Sequence, residues 1–132
     1  MEQIAVNITW LNNYGAYSGI VDGCVATGNT LDGVKKNYRE ALALHLDGMR
    51  EDGDEIPVEL RGAYELKFIL NTQALLHYYD GILTRAAISR LTGINQKQLG
   101  HYIQGVRNPR KGQREKIVLG LRSLGKELGS VE

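Results

Sequence analysis

Near the start of the chain Ile4, Val6, Ile8 and Trp10 alternate with Gln3, Ala5, Asn7 and Thr9. A period of two places the apolar set on one face of a β-strand whose other face meets water. Asn12-Asn13 followed by Gly15 marks a turn, and Tyr14 to Val21, rich in aromatic, β-branched and small residues, predicts a second strand. Asp22-Gly23 has the chemistry of a tight hairpin leading into a third strand, Cys24-Val25-Ala26-Thr27. The period changes after Thr30, a suitable N-cap: Leu31, Val34, Tyr38, Ala41, Leu42, His45 and Met49 fall on one helical face, with Lys35, Lys36, Arg39, Glu40 and Asp47 on the other. Such a helix covers the sheet. Gly53 and Pro57 mark an irregular segment after it, and Tyr64, Leu66, Phe68 and Leu70 alternate with Glu65, Lys67 and Ile69 in a last strand. The predicted order is β-β-β-α-β.

From residue 71 the pattern is helical throughout. Asn71-Thr72 caps a short helix through Tyr79 that Asp80-Gly81 ends. Thr84 and Asn95 are N-caps for two successive helices, Ser89 is small where they cross, and Gly93 supplies the positive φ of the turn between them. Ile88, Ile94, Leu99 and Tyr102 point inward, Gly105 stops the second helix, Pro109 fixes the exit, and Ile117, Leu121 and Leu124 form the buried stripe of a final helix. The expectation is an α+β chain of two domains, 1-70 and 71-132, the second all-α.

At 132 residues there is room for one ordinary domain or two small ones, which argues against a single large enzyme core. With 42% hydrophobic and 23% charged residues the composition is that of an ordinary globular chain. No apolar run approaches the roughly 20 residues that span a bilayer, and Met1-Glu2-Gln3-Ile4-Ala5-Val6-Asn7 lacks a basic stretch followed by an apolar core. A cytoplasmic protein with no membrane partner is therefore expected. The single cysteine, Cys24, excludes an internal disulfide and a CxxC metal knuckle. The net charge of +1 conceals a division: residues 1 to 70 hold 6 Lys+Arg against 11 Asp+Glu, and residues 71 to 132 hold 10 against 4. Net values of −5 and +6 point to a basic partner for the first half and nucleic acid for the second.

A β-β-β-α-β order resembles a partial ribonuclease H fold, whose nucleases hold two divalent metals between carboxylates on adjacent strands. The strand from Ile4 to Trp10 has no Asp or Glu, and the other acids sit at ends, turns or outer positions, or cluster in the loop Glu51-Asp52-Gly53-Asp54-Glu55. Cys24 has no nearby His, Ser18 lies outside any GxSxG pattern, and His45 falls on the apolar helix face. No enzyme, cofactor or metal site is expected.

The run Tyr17-Ser18-Gly19-Ile20-Val21-Asp22-Gly23-Cys24-Val25-Ala26-Thr27-Gly28-Asn29-Thr30-Leu31 resembles the signature of HicB-type antitoxins: an aromatic strand, a turn ending in Gly-Cys, a Thr/Gly strand and a Thr that opens the helix. That family usually carries proline before Gly-Cys and acidic and alanine residues at the helix start, where this chain has Asp22 and Asp32-Gly33. Residues Leu83 to Pro109 resemble the helix-turn-helix of the phage-repressor (XRE) class, with Ser89 for a usual Ala, Thr92 for a usual Leu and Ile103 for a usual acidic residue. The last departure predicts an exposed apolar side chain, a candidate dimer surface.

Together these resemblances imply an antitoxin. The first domain would bind and neutralise a HicA-type RNA-cleaving toxin, and the second would bind operator DNA and repress its own operon, acting as a homodimer or higher homo-oligomer on an inverted repeat. In the XRE class the second helix of the pair enters the major groove, which carries DNA-binding roles onto Asn95, Gln96, Lys97, Gln98 and His101. Arg107, Arg110 and Lys111 then match the loop that grips the backbone. Other readings are an XRE-family transcriptional regulator whose first domain senses a ligand or only dimerises, and a degenerate nuclease.

Overall fold

The computed structural model describes all of residues 1–132, which divide into two compact units, Met1–Asn71 and Thr72–Glu132. The first is a sheet with one helix, the second is all helical, and the chain is mixed α+β.

In the first unit β1 (Glu2–Trp10), β2 (Tyr14–Ser18) and β3 (Val21–Gly28) form an antiparallel meander. Then α1 (Leu31–Asp52) crosses over to β4 (Tyr64–Leu70), which lies parallel to β1 from Glu2↔Tyr64 to Ile8↔Leu70. The sheet order is β3-β2-β1-β4. Trp10 and Tyr14, paired across the first hairpin, stack edge to face at 4.9 Å.

Ile4, Val6 and Ile8 of β1, with Tyr14 and Ala16 of β2 and Val21 and Cys24 of β3, are buried along with Leu31, Val34, Tyr38, Leu42 and Leu46 of α1. Those helix positions repeat every three or four residues, which is why one side of α1 can seal the sheet. Thr30 caps its start by accepting a hydrogen bond from the Gly33 N–H at 3.0 Å. Toward the β4 edge, Lys35 and Arg39 lie over the Phe68 ring at 5.6 and 5.0 Å, where cations are attracted by the ring face. The register sets Ile69, Asn7, Tyr17 and Val25 in one row on the opposite face, where the three apolar members are exposed.

The second hairpin departs from the expectation. Its reversal is Gly19-Ile20, between the paired residues Ser18 and Val21, and Asp22-Gly23 lies inside β3 as part of a bulge where the register jumps from Ser18↔Val21 to Tyr17↔Val25. Gly23 adopts φ 79°, which a side chain would disfavour, so the Asp-Gly pair serves the bulge rather than the turn.

In the second unit α2 (Thr72–Asp80), α3 (Arg85–Thr92), α4 (Gln96–Gln104) and α5 (Lys111–Leu128) surround one buried cluster of Leu76, Ile88, Ile94, Leu99, Tyr102, Ile103 and Ile117. Leu121 packs against it, and Leu124 is half-buried. Ile103 is only 7% exposed, which corrects the expectation of an exposed apolar position. The reason is α2, which packs against α4 and shares the cluster through Leu76, while its Gln73 side chain donates to the Tyr102 carbonyl. No helix is long and apolar enough to cross a membrane.

α5 approaches the end of α3 closely at Gly120. A Cβ added at Gly120 would lie 2.5 Å from the Leu91 carbonyl oxygen and 2.9 Å from its carbon, both backbone atoms that cannot rotate away. Gly120→Ala is expected to cost about 1 to 3 kcal/mol, because displacing packed backbone outweighs the roughly 1 kcal/mol of helix propensity that alanine adds. Gly125→Ala, on the same helix with nothing near its Cβ, is expected to hold or raise the melting temperature. Thermal unfolding of both variants checks the pair; equal effects would contradict this packing.

Candidate nucleic-acid interface

Two local devices position α4. At the end of α3 Gly93 turns the chain with φ 76°, and the Thr92 hydroxyl donates to the Ile88 carbonyl at 2.8 Å while accepting from the Ile94 N–H at 3.3 Å. Asn95 then caps α4, its Oδ1 accepting from the Gln98 N–H at 2.8 Å, so Ile94 enters the core as the helix begins. Arg85 of α3 lies against Gly100 of α4 and pairs with Asp80 at 3.3 Å. The three residues Gly93, Ile94 and Asn95 thus make a short turn between α3 and α4, held by hydrogen bonds at both ends.

Burial of Leu99, Gly100, Tyr102 and Ile103 leaves the other side of α4 to solvent. Lys97 and Gln104 are exposed and His101 is half-buried between them; spacings of four and three place all three on one stripe. Gln96 is exposed on one flank of that stripe, and Gln98, half-buried, lies on the other. Beyond α4 the chain is pinned rather than loose. The Val106 and Arg107 N–H groups donate to the His101 carbonyl at 2.9 and 3.3 Å, Pro109 is buried, and Arg114 donates to the Pro109 carbonyl at 2.9 Å. Arg107, Arg110 and Lys111 project from this segment as exposed side chains. Arg110 precedes α5 without a side-chain cap, leaving the positive end of that helix open.

An open cleft of about 540 Å³ lies between α4 and the start of α5, lined by Gln98, Tyr102, Arg107, Asn108, Arg110 and Gln113. Between Asp80 and Glu115 the chain carries seven Lys and Arg and no acid. Lys97, Arg107, Arg110 and Lys111 form no ion pair within the chain. Chemically this surface offers an ammonium, amides and an imidazole in one stripe beside guanidinium groups, the donor set that meets base edges and phosphates.

The eight residues expected at a DNA site fall on α4, its cap and the segment leading into α5, where Gln98, Arg107 and Arg110 share the cleft, but they do not have equivalent roles. Asn95 has committed its oxygen to the helix cap, and Gln98 is held by its neighbours: its amide N–H donates to the Tyr102 hydroxyl at 2.8 Å, and Gln113 donates to its carbonyl oxygen at 3.4 Å. Sequence reasoning missed Gln104, Tyr102 as a polar partner, Asn108 and Gln113. Gln104 was accessible as the third residue after His101; Gln113 was not, since nothing in its own helix signals a contact with α4.

In the first unit Cys24 is buried beside Tyr38. Burial pushes the thiol above its ordinary range, and the Tyr38 hydroxyl is pushed up to about 12 by burial and by its neighbour Cys24. Asp22 is exposed in the bulge, and Glu65 is exposed on β4, accepting a hydrogen bond from Gln3 at 2.9 Å. No three His, Cys, Asp or Glu side chains are grouped to hold a metal ion.

No family model matches the chain. A stretch of 37 residues, 28% of this chain, is 43% identical to part of an uncharacterized 14.9 kDa protein of the rep-hol intergenic region of Haemophilus phage HP1 (strain HP1c1). The match spans 28% of that protein's length.

If Asn95 serves the cap, Asn95→Ala is expected to lower stability by about 1 kcal/mol, while Lys97→Ala, exposed and unpaired, changes it by less than about 0.5 kcal/mol. Chemical denaturation of the two variants measures the difference. A Lys97→Ala loss as large as that of Asn95→Ala would contradict the assignment of the cap.

Proposed function

We propose that the chain is an antitoxin of the HicB type with an XRE-type helix-turn-helix. Its second unit binds operator DNA and represses its own operon, and its first unit binds and neutralises a HicA-type RNA-cleaving toxin. The observation that carries the DNA half is the polar stripe of Lys97, His101 and Gln104 on the second helix of a pair joined by a three-residue turn, flanked by Arg107, Arg110 and Lys111, in a segment without a single acid. Such a helix has the length and exposed side chains to enter a major groove, and the cations that follow it meet the adjacent phosphates.

For the first unit, three antiparallel strands, a helix and a strand parallel to the first support the partial ribonuclease H-like reading. Its surplus of five negative charges suits a cationic, RNA-binding partner. The only carboxylate on β1 is Glu2, exposed at its first position, and the acids of the unit form no metal-holding group, which favours a binding role over nuclease chemistry. The protein acts in the cytoplasm, as a homodimer or higher oligomer, because one such helix covers only about half of an inverted repeat.

Gel-shift titrations over a series of salt concentrations, run beside a growth assay in which the full chain rescues cells from the toxin, test both halves. Gln96→Ala and Lys97→Ala are each expected to weaken operator binding by about 1 to 3 kcal/mol and to relax preference at one base pair. Arg107→Ala is expected to weaken all duplexes alike and to reduce the salt slope by about one. Rescue is expected to survive all three changes. Unchanged DNA binding by the α4 variants, or loss of rescue by folded protein, would overturn the proposal.

A further inference from the structure

A glutamine amide has two N–H donors and two carbonyl lone pairs. In Gln98 one N–H is given to the Tyr102 hydroxyl at 2.8 Å, and one lone pair receives the Gln113 amide at 3.4 Å. One donor and one acceptor of this amide remain, on a half-buried residue that lines the cleft beside the outward stripe of α4. That remaining pair matches the N7 acceptor and N6 donor of adenine. The terminal torsion of a free glutamine is broad and roughly two-fold, so an unbraced amide presents its donor and acceptor in either order and loses rotamer freedom when it pairs.

Both braces stand on rigid parts of the unit. The Tyr102 side chain belongs to the buried cluster, at 3% exposure, so its ring has no freedom to carry the hydroxyl away. Gln113 sits in the first turn of α5, one turn before the fully buried Ile117 that anchors this helix in the same cluster.

We infer that Tyr102 and Gln113 are positioning residues that hold the Gln98 amide plane, so that base preference at one position of the bound duplex is set in part from α5, by residues that themselves need touch no base. The inference rests on the reading of α4 as the helix that meets DNA, and it goes beyond it by assigning Gln98 a fixed orientation and naming what fixes it. Arg107 and Arg110, on the same cleft, contribute charge that is indifferent to sequence.

The test uses the full chain and a random-sequence duplex library. Duplexes selected by the wild-type protein are then competed against their single-base variants with the wild type, Gln98→Ala, Tyr102→Phe and Gln113→Leu. Tyr102→Phe keeps the ring in the core, and Gln113→Leu changes a half-buried surface position, so both are expected to retain the melting temperature, the affinity for unselected DNA and its salt dependence. Each is expected to lose discrimination at the same base pair as Gln98→Ala, by roughly tenfold. Full discrimination in Tyr102→Phe and Gln113→Leu, alongside its loss in Gln98→Ala, would overturn the brace while leaving the DNA-binding reading intact. So would losses spread over many positions together with a fall in melting temperature, or unaltered discrimination in Gln98→Ala. A wild-type protein that selects no duplex would instead remove the reading of α4, and the inference with it.

Discussion

Burial of one side of α4 makes its other side available as a surface. Leu99, Tyr102 and Ile103 of this nine-residue helix sit in a cluster with Leu76, Ile88, Ile94 and Ile117, contributed by every other helix of the unit and by the turn before α4. An isolated helix of this length is marginal in water, so its rotation and position come from tertiary packing. Once those side chains are inside, helical geometry dictates that Lys97, His101 and Gln104 lie outside. The contact of Gly120 with the Leu91 backbone belongs to the same constraint, because it sets how closely α5 approaches α3.

The first unit solves a different problem. Its sheet has one face sealed by α1 and one face bare, and the bare face carries the row Ile69, Asn7, Tyr17 and Val25. The acids of the unit lie on α1, in the segment after it and at Glu2, Asp22 and Glu65 of the strands, none of them buried in the core. Opposite net charges on two separately cored units favour two ligands of opposite sign, and this division underlies the proposal of a dual role.

Much of this architecture was legible because the local signals were strong and agreed with the tertiary ones. Alternation in β1 and β4, the stripe of α1, and the caps Thr30, Thr84 and Asn95 all appear where periodicity and capping chemistry place them. Asp-Gly is the stronger turn signature in isolation and points to a hairpin at Asp22-Gly23, whereas here Gly23 uses its positive φ in a bulge and the plainer Gly19-Ile20 reverses the chain. The burial of Ile103 is not legible in its own helix, because it depends on α2, a neighbour whose packing no local pattern reports. The eight candidate site residues were legible as a group by charge and spacing, but their separate roles were not. That Asn95 caps, or that Gln98 is tied to Gln113 fifteen residues away, follows from side-chain geometry.

The central claim is that DNA contact is confined to one face of the second unit. Amide chemical shifts of the full chain, followed by NMR during titration with a short duplex at low salt, test it most directly. Perturbations are expected in residues 95 to 114, with the amides of residues 1 to 71 unmoved. Shifts concentrated in the first unit, or none anywhere at millimolar duplex, would contradict it.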